Sequence, residues 1–208
     1  MRAPVKTERK RLRRKWCGKN WKWILYCLIP GLIIAIVLYF VSISFLVTKS
    51  QQQRTLNQLR ECVGSSVSKD MTELVVRKGQ CNGEKITVLD LRVFPQLREM
   101  RVGDECFENV KEVKVIGLSE LESVVVGENS FTKRKNSGGY DSNHRFYLKN
   151  CEKLRELKMG RYSFSDYSVF AIEKVDGLEV MEIGEMEEYS YNFYATPLEL
   201  KSDSKGVE

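Results

Sequence analysis

Apolar and polar positions along this chain follow two different rhythms, one unbroken and one of period two. From Trp23 to Thr48 the string WILYCLIPGLIIAIVLYFVSISFLVT runs for 26 residues without a charged side chain. As a helix rising about 1.5 Å per residue it is roughly 39 Å long, enough to cross a hydrocarbon core of about 30 Å even when tilted. Pro30 and Gly31 predict a kink there, which lipid-embedded helices tolerate. Beyond residue 71 the apolar positions alternate over short runs, the signature of strands with one buried face.

Those strand-like runs recur. LREMRVGDECF (97–107), LESVVVGENSF (121–131), LRELKMGRYSF (154–164) and LEVMEIGEMEEY (178–189) share one frame. The frame is Leu, two variable positions, apolar, variable, apolar, Gly, and an aromatic four places on, or five in the last copy. The leading leucines stand 24, 33 and 24 apart, and the 33 becomes 24 when SGGYDSNHR (Ser137 to Arg145) is treated as an insertion. A second apolar half-unit follows each glycine, about ten residues on, as at Val113 and Phe170; Gly79 to Leu89 extends that series backward.

The pattern predicts a mostly β solenoid of about five turns over residues 72–202, each turn of about 24 residues carrying two short strands. A single turn cannot bury its apolar stripe alone, so stability comes from stacking on neighbours. Gly103, Gly127, Gly160 and Gly184 are expected at sharp turns where positive φ is needed. Phe107, Phe131, Phe164 and Tyr189 are expected to point back inside.

The frame resembles the leucine-rich repeat superfamily, in particular its BspA-like branch with repeats of the type LTSVTIGxxAFxxC. LESVVVGENSF, LRELKMGRYSF and LREMRVGDECF carry the resemblance. No proline stands in the turn, and the Asn ladder LxxLxLxxN is missing. The resemblance implies a leucine-rich-repeat-like solenoid used for protein binding, adhesion or surface display, with no activity of its own.

Charge changes the reading of the ends. Residues 1–22 hold ten Lys or Arg against one acid, whereas the remainder has 24 bases and 27 acids. The overall +6 therefore does not suggest a nucleic-acid partner. The basic flank, with Trp16, Trp21 and Trp23 near it, predicts an uncleaved signal anchor with a cytosolic basic tail (1–22), a transmembrane helix (23–48) and everything after it outside the cytosol. A cleaved signal peptide would have a shorter apolar run ending in small residues. The basic string ERKRLRRK also matches a nuclear signal on pattern alone, but its place before a spanning helix favours a topogenic role and attraction to anionic lipid. Cys17 and Cys27 are open to palmitoylation. Residues 49–71 read as a stalk, helical up to Arg60, and 203–208 as a polar tail.

Four cysteines follow the anchor. Cys106 and Cys151 fall at small core positions, and a Cys62–Cys81 bridge at the start of the coil is one option in an oxidising compartment. No pair has metal-ligand spacing, His144 is the sole histidine, and no cofactor is expected. No Asn-x-Ser/Thr sequon occurs. Asp104, Glu128 and Glu185 follow the turn glycines and invite comparison with carbohydrate-active β-helices. Arg161 breaks that row, and no nucleophile set or phosphate loop accompanies it, so no catalysis is expected.

Solenoids bind through surfaces, and insertions mark the favoured edge. The insertion and the long arc from Gly184 to Pro197 fall in the same half of the repeat. That edge would gather Tyr140, Asp141, His144, Arg145, Tyr162, Tyr189, Tyr191 and Phe193, aromatic and arginine residues of the kind that anchor interfaces. Tyr189 and Phe193 fit a core or capping role equally well. The sequence thus predicts a membrane-anchored module that binds a protein or a surface glycan, the alternative being a display module whose coil ends pair with copies of itself.

Overall fold

The computed structural model describes residues 6–185 and 189–201, with side-chain surroundings from Leu28 onward. The predictions for the first five residues, the polar tail and the side chains of Trp16, Cys17, Trp21, Trp23 and Cys27 lie outside this description. The chain divides into two compact units, 1–49 and 50–208.

Helix α1 (Lys6–Cys62) continues through Pro30 as one element, and the part from Leu28 on is long and apolar enough to cross a membrane. Ser42 and Ser44 turn their hydroxyls back onto the helix: Ser42 donates to the Leu38 carbonyl at 2.8 Å and Ser44 to Phe40 at 2.9 Å. Such back-bonding removes the cost of an unpaired hydroxyl in an apolar surround.

The second unit is a β-solenoid of five turns plus the last turns of α1. Its ten strands are β1 (Glu73–Val76), β2 (Val88–Asp90), β3 (Glu99–Val102), β4 (Glu112–Ile116), β5 (Ser123–Val126), β6 (Arg145–Lys149), β7 (Glu156–Met159), β8 (Val169–Glu173), β9 (Val180–Ile183) and β10 (Leu198–Lys201). Odd-numbered strands stack in parallel as one sheet and even-numbered strands as the other. Val102, Val126, Met159 and Ile183 fall in one register column, and Val113, Phe146, Phe170 and Leu198 in another. The alternation read from sequence is realised as buried inward positions between the two sheets, where each Val, Leu or Phe removed from water contributes about 1.5–3 kcal/mol.

Two details of the turns differ from expectation. Gly103, Gly127 and Gly160 do not have positive φ; of the four turn glycines only Gly184 does, at +73°. They are needed because successive turns pack backbone on backbone. A Cβ on Gly127 would stand 2.7 Å from the amide nitrogen of Asp104, and one on Gly160 2.7 Å from that of Glu128. The left-handed positions fall two and four residues later, at Glu105, Asn129 and Tyr162 and then at Phe107, Phe131 and Phe164. The backward extension through Gly79 is also out of frame. Register places Arg77 opposite Gly103, so Gly79 takes the place of Glu105 and Cys81, at φ +61°, that of Phe107.

The aromatic column also differs from expectation at its far end. Phe107, Phe131 and Phe164 stack as predicted, but Tyr189 is 82% exposed and Phe193 continues the column instead. The fifth arc carries extra residues directly after Gly184, which pushes the inward aromatic past position 189. Beside the column runs a polar ladder that seals each turn: Ser130 and Ser163 donate to the carbonyls of Gly103 and Gly127, and Asn192 donates to Gly160. Cys106 fills the same place, its thiol facing the Arg77 carbonyl at 3.0 Å, and burial raises its pKa. Cys151 is likewise buried and raised for the same reason.

The first coil is closed from below. Leu56 and Leu59, on the last turns of α1, are each 1% exposed and belong to the same core as Leu74 and Leu89. Thr55 accepts from the amide of Asp90 at 3.2 Å, and Gln58 donates to the Lys85 carbonyl at 2.8 Å, so helix side chains occupy the edge of β2 and the loop before it. Cys62 and Cys81 form a disulfide that ties this lid to the foot of the aromatic column. Residues 50–62, within the segment read as a stalk, are therefore part of the packed unit.

Candidate ligand-binding edge

Both irregular arcs leave an odd strand and return to an even one, so they emerge on one edge of the solenoid. The nine extra residues of the third turn lie between Phe131 and Arg145. Arg145 itself is not inserted: it opens β6, opposite Glu112, and faces solvent.

The insertion is pinned at several points. Thr132, Ser165 and Asp166 form a buried cluster at its root, in which Thr132 and Ser165 both donate to the Asp166 carboxylate. Asn136 donates its backbone N–H to the Asn129 side-chain carbonyl at 2.8 Å, and the Asn129 amide donates back at 3.0 Å. Lys135 pairs with Glu105 one turn below, which lowers the pKa of Glu105 and raises that of Lys135. Gly139 and Asp141 donate to the carbonyls of Ser165 and Asp166 in the next turn.

The tip of the insertion rests on the fifth arc. A methyl group added to Gly138 would stand 2.8 Å from the Tyr194 ring and 3.0 Å from the Tyr191 ring, so only a bare backbone fits there. Tyr191 lies at the centre of a tyrosine cluster. Its ring is 6.0 Å from Tyr162 and nearly parallel to it, 6.0 Å from Tyr189 and 5.2 Å from Tyr194. Tyr140, Tyr189 and Tyr194 are exposed, whereas Tyr162 and Tyr191 are half-buried beneath them. Arg161 sits against the Tyr162 ring and bridges Glu128 at 3.5 Å and Glu185 at 3.6 Å. Part of the suspected carboxylate row is thus an ion-pair rim around the aromatic patch.

Of the eight residues singled out from sequence, Tyr162, Tyr189 and Tyr191 come together, with Tyr140 on the insertion that packs against them. Phe193 is 7% exposed and belongs to the core column. His144 is buried at the foot of the insertion. Its Nε2 is 3.7 Å from the Asp141 carboxylate, and its ring leans on Tyr167 at 5.3 Å. Burial lowers its pKa, against the opposing pull of Asp141 and Asp166. Asp141 accepts from the Asn143 amide at 2.9 Å, and this bond holds its pKa below the usual value. Both residues shape the loop from within. Tyr194 was missed, although its spacing of three from Tyr191 within an aromatic-rich arc was visible. Among the described residues no three of His, Cys, Asp and Glu stand close enough together to hold a metal ion.

No family model matches the chain, and no curated protein or solved structure compared with it matches either.

Proposed function

We propose that this chain is a single-pass membrane protein, N-terminus in the cytosol, whose solenoid binds a protein or surface glycan through the tyrosine edge and catalyses no reaction. The observation that carries the reading is the convergence of two irregular arcs on one patch, where exposed Tyr189 and Tyr194 flank a tyrosine stack backed by Arg161 and Tyr140 stands exposed on the insertion whose Gly138 meets that stack. Tyrosine offers large contact area at low rotamer cost, a polar tip, and a ring face on which a sugar or an apolar side chain can lie. The ten basic residues before the apolar helix support the orientation. The repeated frame of leucine, glycine and aromatic supports kinship with leucine-rich repeats.

Binding of the full chain, held in lipid nanodiscs, to intact cells tests this. Replacing Tyr140, Tyr189 and Tyr194 together with Ala should abolish binding while leaving the fold intact, since all three side chains are exposed. Loss of binding after protease treatment of the cells identifies a protein ligand, and loss after glycosidase treatment a glycan. Binding that survives the triple substitution refutes the edge as the site.

A further inference from the structure

The two ends of the solenoid are finished differently. At the first coil the inward positions Leu74 and Leu89 are fully buried, because Leu56, Leu59 and Val67 cover them and Thr55 occupies the edge of β2. At the last coil the inward positions of β10, Leu198 and Leu200, are 47% and 62% exposed, and the inward positions of β9, Met181 and Ile183, are only half-buried. Among the described residues β10 pairs with β8 on one side and no strand lies along its other backbone edge.

We infer that the open end of the solenoid pairs with the same end of a second copy, β10 running antiparallel to β10 across a two-fold axis at Leu200. The charge pattern selects this occupant. In β10 Leu198 and Leu200 face inward, matching Phe170 and Ile172 of β8, and Glu199 and Lys201 face outward. Directly opposed residues of an antiparallel pair share a face, so only registers that keep Leu opposite inward positions are allowed. Centring the pair on Leu200 sets Leu200 against its own copy on the inner face and Glu199 against Lys201 of the second copy on the outer face, twice by symmetry. Shifting the centre to Glu199 would set Glu199 against its own copy, a like-charge clash. Within one chain Glu199 and Lys201 already lie 3.6 Å apart, both largely exposed and able to turn to a partner. Beside and on β9, Glu179 and Glu182 pair with Arg155 and Lys158 of the turn below, and β9 itself carries no basic residue to oppose Glu182 of a second copy. β10 is therefore the self-complementary edge, and the pairing is isologous and closed, stopping at two copies.

Sedimentation of the full chain in detergent micelles tests the inference. The native chain should form a dimer. Glu199→Lys alone, or Lys201→Glu alone, should weaken that dimer about tenfold, because each creates two like-charge pairs across the axis. The double reversal, Glu199→Lys with Lys201→Glu, should restore it. Both positions are exposed, so the fold is untouched and circular dichroism serves as the check. Leu200→Cys should give an oxidised dimer in the same chain with Cys17 and Cys27 changed to Ser, whereas Tyr140→Cys in that background should not. A monomeric native chain, or a dimer indifferent to both single reversals, overturns the inference.

Discussion

Phe131 lies on Phe164 with ring centroids 4.5 Å apart and planes within 8° of parallel, although 33 residues separate them in sequence. The nine extra residues between them leave the column undisturbed, because they are spooled out at the edge after Phe131 has been placed. Phe131 also stacks on Phe107 at 4.9 Å and so is held on both faces. Phe131→Ala is expected to cost about 3–5 kcal/mol, read from chemical unfolding. Phe131→Leu should cost less, since it keeps apolar volume in a position whose left-handed backbone strains any side chain.

Three glycines separate two reasons for having no side chain. Gly127→Ala is expected to cost about 1–3 kcal/mol or more, because its Cβ would meet the backbone of Gly103 and Asp104, which cannot move without unstacking the turn. Gly117→Ala meets open space but sits at φ +69°, so it should cost about 1–2 kcal/mol from strain alone. Gly83→Ala has ordinary contact distances and no positive φ, and is expected to be neutral or to stabilise by about 0.4–1 kcal/mol. Melting of the three variants side by side tests the ranking.

The difference between those glycines also marks what the sequence could and could not express. The period of Leu121, Val124, Val126 and Gly127 was readable because strand geometry writes it into side-chain type. Whether Gly127 answers a steep φ or a close neighbour is a matter of distance to Asp104, a residue 23 positions away, and no local pattern encodes that. Tyr189 lost its place to Phe193 because the fifth arc is longer, and an arc of variable length offers no frame to count by. Residues 50–62 looked like a polar, weakly periodic spacer, since only Thr55, Leu56 and Leu59 among them are fully buried. On the edge, Tyr162 and Tyr191 were legible as aromatic residues at matching positions. The depth of His144 was not, because burial there depends on how the inserted loop folds over Tyr167.

The bond between Cys62 and Cys81 has a separable role. It encloses a loop of about 20 residues, for which chain-entropy arguments give roughly 3 kcal/mol of stabilisation. Its place adds locality: it fastens the lid over Leu74 and Leu89. Changing both cysteines to Ser should lower stability by about that amount, and hydrogen exchange should rise first in residues 50–62 and in β1 and β2 while β5 to β8 stay protected. Uniform loss of protection through all ten strands would show instead that the coil unfolds as one unit.

His144 should make the insertion sensitive to acid. Its folded pKa lies below the ordinary value of about 6.5 because burial opposes the charged ring. The unfolded chain therefore takes up the proton first as pH falls, and stability contributed by the neutral ring is complete above about 6.5 and declines from there toward the lower folded value. The groups that face the ring set the size of the effect. Asp141 and Asp166 favour the proton, Lys111 and Lys133 oppose it, and the first cause remains the loss of water. His144→Gln should flatten the pH dependence of unfolding in that window at some cost in stability at neutral pH. Amide exchange at position 144 and at Ser168, whose N–H groups donate to the carbonyls of Asp141 and residue 144, should rise on acidification in the native chain and not in the variant. A native chain whose stability does not change between neutral pH and pH 5 would place the ring in contact with water and remove the premise.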